Sequence, residues 1–265
     1  MDEPRDLVDV AVTIAREAGK LLMQDLAVGR FGGEVEAKSS RELVSRVDRA
    51  SESLIRQLVA EVAPDHEVLG EEQGLEGDSD ASHRWIVDPL DGTTNYLHGH
   101  PFFAVSIGVE ARDAGLVAAV VHAPCLGETF FAAKGDGAYL NTRAIRLSVS
   151  GAERLDDALL ATGFAYDRAK YPNEQRFLRM LAAARGIRRC GSAALDLAYV
   201  AAGRYDGFWE LGLRPWDVAA GALLVLEAGG RVSDLSGGED WLAGGGVVAA
   251  GPTLHGLIAE RVAEP

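Results

Sequence analysis

The chain has 265 residues, 48% hydrophobic and 25% charged, enough for one or two domains with a substantial core. Its formal net charge of −14 speaks against a broad basic surface for nucleic acid, and no apolar run approaches the ~20 residues needed to cross a bilayer. The start, Met1-Asp2-Glu3-Pro4, lacks the basic-then-apolar pattern of a secretory leader, which favours the cytoplasm, and the two cysteines, Cys125 and Cys190, have no metal-type spacing and are expected as reduced, buried thiols.

In chain order, Leu7, Val10, Ala11, Ile14, Ala18, Leu21 and Leu22 share a stripe of helical period, which predicts a helix over 4–27 ended by Gly29, Gly32 and Gly33. Residues 32–40 are polar, carry Lys38 and read as a loop or hairpin, and residues 42–47 are short and strand-like. A second helix follows with Ala50, Leu54, Leu58 and Val62 on its inner face and stops before Pro64; residues 75–83 read as a polar loop. Phe103, Val105, Ile107 and Val109 alternate as in a half-buried strand. Residues 116–123 and 129–132 continue that sheet, and after the turn Lys134-Gly135-Asp136-Gly137 so does the region 138–147. A composition shift at 148–154 marks a domain boundary, dividing the chain into 1–148 and 149–265.

Strand and helix then alternate. Strands are expected at 159–162, 205–210, 230–234 and 247–250. Helices are expected at 173–185, after Gly191-Ser192 as far as Gly203, at 217–228, and after Pro252. There is no internal repeat. The pattern means layered sheets and helices, a mixed α/β or α+β fold.

Chemistry concentrates in Trp85-Ile86-Val87-Asp88-Pro89-Leu90-Asp91-Gly92-Thr93-Thr94-Asn95. A strand-like segment delivers two acids, three residues apart, into a turn of Pro, Gly and hydroxyl residues. Hard divalent cations take oxygen ligands, and Mg²⁺ binds one or two carboxylates together with substrate phosphate. Backbone N–H groups of Gly92-Thr93-Thr94 suit an anion if a helix begins there. The same residue types also make an ordinary tight turn. Gly70-Glu71-Glu72-Gln73-Gly74 sets acids at a strand end, which alone reads as a solvated loop. Pro215-Trp216-Asp217 opens an apolar helical run to Glu227; taken alone, Asp217 reads as an N-cap there and Asp48 as the N-cap of the second helix.

Taken together, GEE at 70–72, WIVDPLDGTTNY at 85–96, WDVAAG at 216–221 and EAGG at 227–230 resemble the inositol monophosphatase family, in its order and at its spacing, over nearly the whole chain. The resemblance implies an αβαβα sandwich. It also implies Mg²⁺-dependent hydrolysis of a phosphate monoester, myo-inositol monophosphate first, by direct attack of an activated water without a covalent phosphoenzyme. The implied metal ligands are Glu71, Asp88, Asp91 and Asp217 with the backbone carbonyl of Leu90, Asp88 bridging two cations. Two or three Mg²⁺ per site are expected, with Mn²⁺ as a substitute, and the lack of a Cys/His cluster argues against zinc. Converging acids need counter-cations, since like charges cannot all stay ionised, and the cations reconcile an acidic chain with an anionic substrate.

By the same resemblance, Asp48 and Thr93, with Glu71, are catalytic and orient and deprotonate the water. Phosphate rests on Gly92 and Thr93, with Thr94 or Asn95 tightening the turn. Gly191, Ser192, Ala193, Glu210 and Asp217 contact the substrate, and Lys38 matches a basic residue near a third metal. Enzymes of this fold also take histidinol phosphate, fructose 1,6-bisphosphate, adenosine 3′,5′-bisphosphate or NADP, for which Arg168, Lys170 and Arg214 offer positive charge. His98 and His100 flank Gly99 close to the motif and either line the entrance or, as is commoner for loop histidines, have no role. Arg188 and Arg189 serve either a subunit interface or a substrate anion. Tyr96 stands where phenylalanine is commoner, which should matter little. A homodimer, lithium inhibition and a bacterial source are implied as well. A non-catalytic scaffold should have lost ligands, and here Glu71, Asp88, Asp91, Thr93 and Asp217 all match.

Overall fold

The computed structural model describes residues 3–28, 35–37 and 43–263, so Lys38 lies outside the described residues. Helix α1 (Pro4–Val28) and the pair β1 (Val35–Ala37) and β2 (Leu43–Ser45) lead into α2 (Arg46–Val62). Strands β3 (Glu67–Gly70), β4 (Gly74–Glu76) and β5 (His83–Asp91) are followed by the short helix α3 (Thr93–Leu97). Four antiparallel strands come next: β6 (Ala104–Ala111), β7 (Gly115–Ala123), β8 (Glu128–Ala133) and β9 (Gly137–Leu140), with β10 (Thr142–Arg146) at the edge. They form an eight-stranded sheet in the order β10-β9-β8-β7-β6-β5-β3-β4, parallel only between β3 and β5.

The second half contributes β11 (Leu159–Thr162), α4 (Glu174–Ala183), β12 (Gly186–Arg188), α5 (Ala193–Ala201), β13 (Gly207–Leu211), α6 (Pro215–Glu227), β14 (Arg231–Ser233), β15 (Gly246–Ala250) and α7 (Pro252–Ala263). Its five-stranded sheet runs β12-β11-β13-β15-β14, parallel where β11 meets β12 and β13. Helices α1 and α2 cover one face of the large sheet, α5 and α6 lie between the two sheets, and α7 and α4 close the far face of the small one. The layers are α, β, α, β, α, as expected. Three apolar clusters fill the spaces between them.

Helices α5 and α6 are apolar on every side because a sheet lies on each side of them, the condition under which an all-round hydrophobic helix is stable. The same sandwiching corrects the reading of β6. Val105, Ile107 and Val109 do face α1, but the alternating Ala104, Ser106 and Gly108 are buried too, against α6. A Cβ on Gly108 would stand 2.9 Å from that of Ala219, so small residues on this face let helix and sheet touch. From Ala104 to Val109 the strand is buried on both faces rather than half-buried.

Two further expectations change. The buried face of α2 is Val47, Asp48, Ser51, Glu52, Ile55, Arg56 and Val59, whereas Ala50 and Val62 are exposed and Leu54 and Leu58 only half-buried. Cys125 is exposed on the turn between β7 and β8, and only Cys190 is partly buried. Among the described residues no helix is long and apolar enough to cross a membrane.

Candidate active site

The site begins with strand register. β3 runs parallel to β5 with Gly70 opposite Val87, so the residue that follows β3, Glu71, arrives level with Asp88; its N–H donates to the Val87 carbonyl at 3.2 Å. Residues three apart on a regular strand point to opposite faces. Here the β5–β6 pairing slips between Asp88 and Asp91, at Pro89, which has no N–H to donate to a ladder. The irregularity turns both acids toward one pocket.

Gly92 then reverses the chain at φ +95°, a left-handed conformation, and a Cβ there would lie 3.1 Å from the Phe102 carbonyl and 3.2 Å from that of Gly191. Thr93 starts α3, so the first N–H groups of that turn have no helical partner. The Asn95 amide donates to the Phe102 carbonyl at 2.6 Å and the Cys190 carbonyl at 2.8 Å, tying the turn to the segment before α5.

Glu71, Asp88, Leu90, Asp91, Gly92, Thr93, Thr94, Gly191, Ser192, Ala193, Glu210 and Asp217 all border one pocket of about 350 Å³. Asp48 stands behind it and accepts the Thr93 hydroxyl at 2.9 Å; the same hydroxyl lies 3.3 Å from the Leu90 carbonyl. Asp48 is therefore no N-cap: α2 begins two residues earlier. Nor does Asp217 occupy the cap itself. It is the third residue of α6 and accepts the Arg214 N–H at 2.7 Å.

Each central acid is anchored through one oxygen. Asp88 accepts the Leu90 N–H at 2.9 Å, and Asp91 accepts the Ser192 hydroxyl and the Ala194 N–H, both at 2.7 Å. Burial pushes the Asp88 carboxyl well above the usual range, and Glu71, Asp91 and Asp217 push it further; Asp88 is 2% exposed. Asp217 is raised in the same way, by burial first and then by Asp91. Burial lifts Asp91 to about 6 against the opposing bonds from Ser192 and Ala194.

These residues fit a hard divalent cation. The donors are all oxygen, and the negative charge is uncompensated, since among the described residues no Lys or Arg pairs with Asp88, Asp91 or Asp217. No three Asp, Glu, His or Cys side chains among the described residues are gathered closely enough to enclose an ion unaided. An ion here would complete its shell with the Leu90 carbonyl, water and phosphate, which is how Mg²⁺ is commonly held.

Glu210, the penultimate residue of β13, borders the same pocket. Burial raises it to about 8, Arg189 opposing and Asp91 adding to the rise. Its position is built by Asn173, whose amide donates to the Gly163 carbonyl at 2.7 Å and Thr162 hydroxyl at 3.0 Å while accepting the Trp209 indole N–H at 2.9 Å.

Several expectations fail at the rim. His98 and His100 are exposed and do not border the pocket; neither do Lys170, which stacks on Tyr171, Arg188 or Arg214. Arg168 and Arg189 do border it. Sequence reading missed Gly163, Phe164, Ala165 and Tyr166 as pocket residues, and Asp196, a 1%-exposed acid on α5 that faces the charges of Glu210 and Asp91. Tyr96 also matters more than expected: its hydroxyl donates to the Leu22 carbonyl and meets Asp25, each at 3.0 Å, and Asp25 pairs with Arg46 at the head of α2.

A layered α+β chain with an acid-lined, oxygen-rich pocket beside a hydroxyl–carboxylate pair has the make-up of one class, the phosphatases. The model of the inositol monophosphatase family matches residues 3–264, and the chain belongs to that family. It is 44% identical to an inositol-1-monophosphatase of Mesorhizobium japonicum, over 98% of this chain and 97% of the relative. It is 46% identical to the Nus factor SuhB of Pseudomonas aeruginosa, over 92% and 90%. The solved extragenic suppressor protein suhB of Bartonella henselae superposes with a TM-score of 0.91 at 41% identity, over 98% of this chain and 99% of that one. A solved structure of SaIMPase-II with inositol monophosphate bound gives 0.80 at 29% identity, and one with 2′AMP bound gives 0.81 at 28%; each covers 98% of this chain, and 94% and 95% of its own.

Proposed function

We propose that the chain is a Mg²⁺-dependent phosphomonoesterase whose leading substrate is a myo-inositol monophosphate, hydrolysed by direct attack of water with no covalent phosphoenzyme. The carrying observation is the Thr93–Asp48 hydrogen bond at 2.9 Å beside a pocket bordered by Glu71, Asp88, Asp91 and Asp217. Two or three cations, held by those four carboxylates and the Leu90 carbonyl, would acidify a water and neutralise charge on the phosphoryl oxygens, with Mn²⁺ able to substitute.

The remaining work falls to the protein's own groups. The Thr93 hydroxyl donates a hydrogen bond to Asp48 and keeps its lone pairs for the attacking water. As the new P–O bond forms and the ester P–O bond breaks, the water proton passes to Thr93 and the Thr93 proton to Asp48, with Glu71 flanking the path, and the ester oxygen leaves with a proton taken from solvent. The N–H groups of Gly92 and Thr93, with Thr94, hold the phosphate. Gly191, Ser192, Ala193 and Asp217 border the polyol subsite.

Glu210 supports a polyol. Among the described residues its carboxyl group makes no hydrogen bond, which leaves it to meet vicinal hydroxyls of a ligand, as donor and acceptor, in a pocket of about 350 Å³. The staphylococcal relative solved with 2′AMP favours a second reading, the same chemistry on a nucleotide ester, with Arg168 and Arg189 taking further negative charge. Adenosine 3′,5′-bisphosphate and NADP belong to that reading, and histidinol phosphate and fructose 1,6-bisphosphate are further esters open to the same chemistry. A cytoplasmic homodimer inhibited by lithium completes the proposal.

Phosphate release from inositol 1-phosphate, 2′AMP and those four esters, with and without Mg²⁺, is the test. Mg²⁺-dependent preference for inositol 1-phosphate is the expected result. Preference for any other ester keeps the chemistry and discards the role given to Glu210, and no release from any ester discards the enzyme reading.

A further inference from the structure

Helix α2 meets both acid-bearing loops through one polar stripe. Residues 48, 52 and 56, four apart, share a helical face. Asp48 accepts from Thr93, and the neighbouring Ser51 hydroxyl donates to the Pro89 carbonyl at 3.0 Å, so the first part of the stripe holds the Asp88–Thr93 loop. Further along, Glu52 holds the other loop. Its carboxylate, 0% exposed, accepts the Glu72 N–H at 2.7 Å and the Gln73 N–H at 3.1 Å, the two amides that follow Glu71.

Arg56, 8% exposed, fixes that carboxylate at 2.8 Å and 2.9 Å and donates to the carbonyls of Val68 and Gly74, on either side of the same turn, at 3.3 Å and 2.6 Å. A Cβ on Gly70 would lie 2.2 Å from Glu52, so the carboxylate fills the space over the turn and residue 70 has no room for a side chain.

Stability does not explain this arrangement. Removing two charges from water costs several kcal/mol for each ion, and well-packed apolar residues in place of such a pair are often as stable or more so. What the pair offers is fixed geometry. Glu71 must stand close to Asp88 and Asp217, whose charges and its own repel, on a turn that would otherwise yield.

We propose that Glu52, oriented by Arg56, is a positioning residue that holds the Glu71 turn against the acid cluster, so that the cation site is preset on α2 before a cation arrives. The proposal rests on the reading of Glu71 as a metal ligand.

Calorimetric titration of the metal-free protein with Mg²⁺, in wild type, Glu71→Gln, Glu52→Gln and the double variant Glu52→Gln/Arg56→Met, tests it. The double variant leaves no lone buried charge and keeps the fold. Both Glu52 variants are expected to bind Mg²⁺ ~10–100-fold more weakly, the usual loss when a partner of a metal ligand is removed. With Mg²⁺ saturating, their KM for substrate stays unchanged, which a general structural defect would not allow.

Weakened binding in Glu71→Gln with unchanged binding in the Glu52 variants overturns the positioning role alone. Unchanged binding in Glu71→Gln overturns the ligand reading, and the proposal with it. Hydrogen exchange on the wild type is independent of any variant: the Glu72 and Gln73 amides are expected to be protected without metal, and exchange at open-loop rates there refutes the preset site.

Discussion

Glu210→Gln replaces an acid that the pocket keeps from ionising with a neutral side chain of the same shape. Burial lifts Glu210 from 4.5 to about 8, and it touches no hydrogen-bond donor among the described residues. Each pKa unit corresponds to ~1.4 kcal/mol, so a fully shielded ionised Glu210 would cost the metal-free protein ~5 kcal/mol. The carboxylate faces a pocket open to water, and screening there brings the figure to ~2 kcal/mol.

The sign follows from which state holds the proton. Below 4.5 folded and unfolded chains are both protonated at this residue, and it contributes nothing. Between 4.5 and about 8 the unfolded chain has lost the proton and the folded chain keeps it, so stability falls as pH rises. Above 8 the whole cost is present. Urea melts of the metal-free protein from pH 4.5 to 9 should therefore show Glu210→Gln equal to wild type at the acid end and ~2 kcal/mol more stable at the alkaline end. In kinetics the same variant should raise KM for inositol 1-phosphate ~10-fold, the loss of ~1.4 kcal/mol of binding, and leave p-nitrophenyl phosphate unaffected. A stability difference that does not vary with pH refutes the electrostatic reasoning. Equal loss for both esters refutes the polyol role.

Thr93→Val should lower phosphate release by ~10²-fold or more with Mg²⁺ affinity and melting temperature unchanged, since it removes the hydroxyl that links water to Asp48. Tyr96→Phe should cost ~1–2 kcal/mol in urea melts by stripping the Leu22 carbonyl and Asp25 of a partner. In Gly163→Ala the new Cβ would fall 2.1 Å from the Glu210 carboxylate, which must swing aside; the expected outcome is a higher KM for inositol 1-phosphate with little change in stability or in p-nitrophenyl phosphate turnover. Fluorescence anisotropy with single-stranded RNA at physiological salt should show no binding, as the charge of −14 requires if no local basic patch overrides it. Saturable binding would tie this chain to the relatives named Nus factors in a way the phosphatase reading does not.

The parts of the site that were legible in the sequence are those whose chemistry is local. A proline that breaks a strand ladder, a glycine at φ +95° and a helix start lie within a few residues of Asp88, Asp91 and Asp217, so residue type alone points to the turn and its acids. What escaped is made by pairing across the chain. Gly163 reaches Glu210 only because β11 runs parallel to β13 with Thr162 opposite Trp209, and nothing near 163 announces that register. The partners of the Tyr96 hydroxyl lie more than seventy residues upstream on α1. β6 read as half-buried because Ala104, Ser106 and Gly108 are small or polar, and small is what α6 requires of the face it touches.

Helix α2 was misread for a more informative reason. Counting apolar residues favours the face of Leu54 and Leu58, yet the buried face carries Asp48, Ser51, Glu52 and Arg56 among Val47, Ile55 and Val59. A helix whose inner face is half polar does not maximise apolar burial, and each buried polar group costs free energy unless it is bonded. All four are bonded, three of them to the two loops that carry Glu71 and Asp88 through Thr93. Asp, Glu and Arg at 48, 52 and 56 therefore mark the face by a different rule than hydrophobicity: two acids and a base spaced four apart, inward of a helix that precedes two acidic turns, show where the fold has given up packing to hold a site.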